Sequence, residues 1–91
     1  MDKTLARIIG NHIHCYLKAT KGPYGGTPGT YVNLYGSENA TRQWLNDLRK
    51  MIYAFEEYQR YQNPGQIPSD IWERIHEGMQ LFIDNYRDFQ I

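Results

Sequence analysis

Ile9-Gly10-Asn11-His12-Ile13-His14-Cys15-Tyr16-Leu17-Lys18-Ala19, residues 9–19, is the stretch whose reading decides the fold. Two periods compete in it. Read in steps of two, Ile13, Cys15, Leu17 and Ala19 share one face, and His12, His14, Tyr16 and Lys18 share the other. That is the pattern of a half-buried strand. Read in steps of four, Leu5, Ile9, Ile13 and Leu17 form an apolar row that would suit a helix. Gly10 and Asn11 are poor residues for a helix interior. Further on, Thr30-Tyr31-Val32-Asn33-Leu34-Tyr35 is rich in β-branched and aromatic residues and would need a strand partner. These two observations favour a β-hairpin of residues 11–20 with 30–35.

The segment between those strands, Lys21-Gly22-Pro23-Tyr24-Gly25-Gly26-Thr27-Pro28-Gly29-Thr30, becomes a long hairpin loop. Glycine-rich turns expose backbone amides in concavities that suit anions. Lys18 and Lys21 add charge, Thr27 and Thr30 add hydroxyls, and Tyr24 or Tyr31 offers a ring face. The expected ligand-binding set is Lys18, Lys21, Tyr24, Gly25, Gly26, Thr27, Thr30 and Tyr31. The loop lacks the Gly-Lys-Ser/Thr ending of a P-loop and the spacing of a dinucleotide fingerprint.

The rest of the chain reads as helix. Ser37 or Asn39 can cap a helix running to about residue 62. Its apolar stripe is Trp44, Leu45, Leu48, Met51, Ile52, Phe55 and Tyr58. Asn63-Pro64-Gly65-Gln66-Ile67-Pro68 breaks it. Ser69 or Asp70 then starts a second helix to about residue 89, with Ile71, Ile75, Met79, Phe82, Tyr86 and Phe89 inward. The short link makes the helices antiparallel. The expected fold is therefore α+β: an N-terminal β-hairpin followed by an antiparallel two-helix hairpin. The alternative is an all-α three-helix arrangement, with residues 3–20 as its first helix.

Composition bounds the function. Ninety-one residues predict a single small domain, 1–91. Lys plus Arg and Asp plus Glu number ten each, so the net charge is zero. That balance argues against general nucleic-acid binding, which draws on a basic excess. It also removes one barrier to self-association. Tyr53, Tyr61 and Leu81 fall off the apolar stripes, and this surplus predicts a homo-oligomer. Cys15 is the one cysteine, which suits a reducing compartment and leads to a cytoplasmic expectation. The apolar residues near the N-terminus are too interrupted for a membrane span.

No residue set argues for catalysis, a cofactor or a metal. His12 and His14 would share a strand face as a metal pair does, but no third ligand is specified. Cys15 would be a small buried residue facing away from His14. The pairs Glu56/Glu57, Glu73/Glu77 and Asp84/Asp88 lie on charged faces and read as solvated surface. Arg42, Arg49 and Lys50, with Trp44 and Tyr53 nearby, form a modest basic area that could meet an acidic surface. The leading expectation is a non-catalytic, homo-oligomeric binding protein that captures a small anionic, nucleotide-like ligand at the loop. The alternative is a protein-interaction module: an adaptor, or a small inhibitor of a larger enzyme complex such as one in host defence.

Overall fold

The structure, a computed structural model, describes residues 2–21 and 27–89. It is all-helical, and no strand is present among the described residues. The expected β-hairpin of residues 11–20 with 30–35 is thereby overturned. Helix α1 spans Lys3–Lys21, α2 spans Gly29–Tyr35, α3 spans Ser37–Arg60 and α4 spans Ser69–Asp84. Short 3-10 turns follow α3 at Pro64–Gln66 and α4 at Tyr86–Asp88.

The residues of α1 explain why the period of two fails. Ala6, Gly10, Ile13 and Thr20 are buried and Leu17 is half-buried, a three-to-four-residue spacing. Cys15 and Ala19, expected inward, are exposed. Gly10 weakens the helix locally, yet it lies where α1 meets Phe55. A Cβ built on Gly10 would come within 3.5 Å of Phe55 Cβ, an ordinary contact. Packing of the apolar face thus outweighs the intrinsic preference at one position. Asp2 starts the helix: its carboxylate accepts from the Thr4 amide at 2.9 Å.

Residues 30–35, the expected second strand, lie inside α2. A helix of seven residues is too short to hold by itself. Its anchor is Tyr31, which is buried edge-on against Trp44 with ring centroids 5.0 Å apart. Gly36 then turns the chain directly into α3 with φ of 78°, a value that favours glycine. Neither Ser37 nor Asn39 caps α3 through its side chain, since the helix begins at Ser37 itself. At α4 the N-cap position is Pro68, so Ser69 and Asp70 are already helical. Asp70 still sits favourably at the positive end of the helix dipole.

Helix α3 is the hub, since α1, α2 and α4 each pack chiefly on it. Thr20 meets Trp44 and His14 meets Glu56, so α1 runs antiparallel to α3. Glu77 meets Lys50 and Trp72 meets Tyr58, so α4 does too. The core contains Trp44, Leu48, Met51 and Phe55 from α3, with Ile13, Ile75, Phe82 and Phe89 around them. No helix among the described residues is long and apolar enough to cross a membrane.

Candidate functional site: a basic cleft between α3 and α4

Where α4 crosses α3, the two helices border an open cleft of about 320 Å³. Asn46, Arg49, Lys50 and Tyr53 line it from α3, and Arg74 and Glu77 from α4. The α3 residues recur at helical spacing and so fall on one face, the side of the helix away from α1. The α4 residues are brought to them by close contact at Gly78, whose buried Cα packs against the Lys50 backbone.

Three cations face one carboxylate in this cleft. Lys50 Nζ donates to Glu77 Oε1 at 3.0 Å, with both groups partly exposed. The Glu77 carboxylate beside it holds the Lys50 ammonium above its ordinary pKa. Arg49 and Arg74 have no hydrogen-bond or ion-pair partner among the described residues. Two guanidiniums thus stand on opposite helices with the half-buried Tyr53 in the same wall. Guanidinium forks match carboxylate and phosphate oxygens in pairs, and a tyrosine ring can stack on a planar group.

The residues expected to bind a ligand are placed differently. Tyr24, Gly25 and Gly26 lie outside the described residues, as does the side chain of Lys21. The segment they belong to joins α1 to α2, and no hairpin exists for it to close. Lys18 is exposed on α1 and Thr30 is exposed in the first turn of α2. Thr27 shares a 2.7 Å hydroxyl hydrogen bond with Thr41. Tyr31 points inward, and its hydroxyl donates to Asp47 Oδ2 at 2.5 Å. Thr27 and Tyr31 therefore tie the loop and α2 to α3.

The Tyr31–Asp47 contact predicts a pH effect. Burial, then the hydrogen bond to Asp47, pushes the Tyr31 phenol far above its ordinary 10.0. The folded state holds this proton more tightly than the unfolded chain. Its stabilising contribution is complete below pH 10.0 and falls as pH rises from there toward the folded-state value. Melting temperature measured from pH 8 upward should drop above about pH 10, and less steeply in Tyr31→Phe. At neutral pH Tyr31→Phe should cost about 1–3 kcal/mol, because among the described residues buried Asp47 retains only the Gln43 amide as donor. Parallel pH profiles for the two proteins would contradict this.

His12 and His14 part company on a helix. His14 Nε2 lies 3.0 Å from Glu56 Oε1, while the His12 ring sits against Tyr16. No three His, Cys, Asp or Glu residues among those described are grouped to hold a metal ion. Of the basic area read from the sequence, Arg49, Lys50 and Tyr53 reach the cleft. Arg42 instead donates to Asn39, and Trp44 is in the core. The sequence does not single out Arg74, and Glu77 reads there as solvated surface, because nothing local in the sequence sets which turn of α4 meets which turn of α3. The one signal was Gly78 on an otherwise apolar-edged helix, a mark of close approach. The chain matches no protein-family model, curated protein or solved structure.

Proposed function

We propose that the protein is a non-catalytic, homo-oligomeric binding module that takes an anionic, phosphate-bearing group into the α3–α4 cleft. One observation carries this reading. Arg49 and Arg74 face a shared cleft from two helices with no carboxylate partner, while the one carboxylate there is engaged by Lys50. A volume of about 320 Å³ lies at the small end of the range for ligand pockets and suits a phosphate-sized head group. Tyr53 adds a ring for a nucleotide-like ligand to rest on. Carboxylates on an acidic protein segment share the same oxyanion chemistry and are the other source of such a group.

Calorimetric titration with inorganic pyrophosphate, a nucleoside triphosphate and an oligoglutamate peptide separates these sources. The triphosphate should bind most tightly, since it alone engages both the guanidiniums and the ring. Each guanidinium removed should cost about 1.5–3 kcal/mol, so Arg49→Ala with Arg74→Ala should weaken binding by at least about a hundredfold. Tyr53→Leu should weaken the triphosphate and spare pyrophosphate. Tightest binding by the peptide would move the reading to a protein-interaction module. If no anion binds at millimolar concentration, or the arginine variants bind as well as the parent, the cleft reading fails.

A further inference from the structure

The equal numbers of cationic and anionic side chains conceal an uneven distribution. Seven of the ten Lys and Arg lie in residues 1–50, and seven of the ten Asp and Glu lie in residues 51–91. The fold turns this gradient along the chain into a basic face and an acidic edge. Helix α1 has no carboxylate. Helix α4 carries Asp70, Glu73, Glu77 and Asp84 against the single Arg74, and it packs on a different flank of α3.

Two rows of side chains make the basic face. On α1, Lys3, Arg7, Asn11, His14 and Lys18 recur every three or four residues and form one polar row. On α3, Arg42, Arg49, Glu56 and Arg60 form a second row on the solvent side of the helix. The rows lie side by side. His14 meets Glu56 at 3.0 Å across the seam, and Lys3, Thr4 and Arg7 line a hollow together with Gln59. All six Lys and Arg of the two rows are exposed. Lys3, Arg7, Lys18 and Arg49 have no hydrogen-bond or ion-pair partner among the described residues. Arg42 donates to Asn39 and Arg60 to Glu57, and each guanidinium keeps further donors. Of the carboxylates on this side, Glu56 is held by His14 and Glu38 sits in the first turn of α3.

The chemistry of this face selects its partner. A protein interface is built around a desolvated apolar core. None of the large apolar side chains that stand exposed among the described residues belongs to either row. A phosphodiester backbone needs only cations at intervals. At about 1.5 Å per residue, the α1 row from Lys3 to Lys18 spans about 22 Å and the α3 row from Arg42 to Arg60 about 27 Å. Packed helices lie about 8–10 Å apart. Two cationic rows at that separation suit the two phosphate strands that border a duplex groove about 6–12 Å wide.

We propose that the α1–α3 face binds duplex DNA through its backbone, the α1 row on one strand and the α3 row on the other. The contacts are to phosphates, so the binding is independent of base sequence. The zero net charge that argues against nucleic-acid binding for the chain as a whole does not describe this face. The acidic α4 turns the basic face toward an approaching polyanion. Arg49 is the one residue shared with the cleft, and the proposal does not depend on what the cleft holds.

Fluorescence anisotropy with labelled DNA duplexes of about 20 base pairs tests this at about 50 mM salt. Two unrelated sequences should bind alike, with Kd of about 1–100 µM. The logarithm of affinity should fall with that of salt at a slope of about −5, since each engaged cation contributes about −0.9. Arg7→Ala with Lys18→Ala should make the slope shallower by about 2 and weaken binding at least about tenfold. Both positions are exposed, so this variant should keep the parent's helical circular dichroism. A single strand offers one backbone and should bind at least about tenfold more weakly. The proposal is overturned by no binding at millimolar protein, by a slope near zero or by a double variant that binds like the parent. It is equally overturned by a single strand or an oligoglutamate peptide that binds as tightly as the duplex. Arg74→Ala, which alters the cleft alone, should lose triphosphate affinity and keep duplex binding, so failure at the cleft and failure at this face are separable.

Discussion

Trp44→Ala is expected to bring the fold to the edge of unfolding. Trp44 is fully buried on α3 and is touched from three directions. Tyr31 of α2 meets its ring at 5.0 Å and Phe89 meets it at 5.6 Å, while its indole N–H donates to Thr20 of α1 at 3.2 Å. Truncation removes the ring, opens a cavity that three elements share and strands a buried Thr20 hydroxyl. Trp-to-Ala changes in cores cost about 3–5 kcal/mol. A domain of this length has roughly 5–10 kcal/mol in all. Urea denaturation should show that loss, with a fall in melting temperature of about 15–30 °C. Trp44→Phe should recover much of it, since a ring remains to meet Tyr31 and Phe89. A loss under about 1 kcal/mol would show that the end of the bundle can collapse around the gap.

The second large effect is expected from a single methyl group. A Cβ at Gly78 would come within 2.5 Å of Ala54 Cβ and closer still to the Lys50 carbonyl oxygen. One obstacle is backbone, so no rotamer change relieves it, and α3 and α4 must separate. Overpacking of this kind costs about 1–3 kcal/mol and occasionally more. Alanine's better helix propensity offsets about 1 kcal/mol. A clash with backbone places this cost at the upper end of that range, so the net loss in Gly78→Ala should be about 2 kcal/mol by denaturant melt. Shifting α4 outward also moves Glu77 and Arg74 relative to Lys50 and Arg49, so anion affinity should fall with stability. A substitution that leaves both unchanged would contradict the close crossing.

These two positions also show what the sequence makes legible. Trp44 belongs to an apolar stripe that recurs every three or four residues through α3, and both long helices could be read that way. The structure ends them at Arg60 and Asp84, a little short of the expected limits. Helix α1 hid its period because the residues it buries include Ala6, Gly10 and Thr20. Small side chains are what a close helix contact needs, yet they do not register as hydrophobic. The more visible residues Cys15 and Ala19 lie on the exposed side, and they suggested alternation. Residues 30–35 look strand-forming by composition, but one buried contact, Tyr31 with Trp44 and Asp47, sets their conformation. Half of the cleft could be seen in Arg49, Lys50 and Tyr53. The other half depends on the register between two helices, which Gly78 sets by contact at a distance along the chain.

The central place of α3 has a consequence for how the chain assembles as it is made. Helix α1 is synthesised first, but the surface it packs on ends at Arg60. A nineteen-residue helix containing Gly10 is only marginally stable in water. Its apolar face must therefore stay unsatisfied while roughly forty further residues are added. Neither α1 with α2 nor α1 with α4 makes a unit without α3. Among the four helices, the first persistent structure on the growing chain has to include α3, and α1 docks backward onto a helix that follows it.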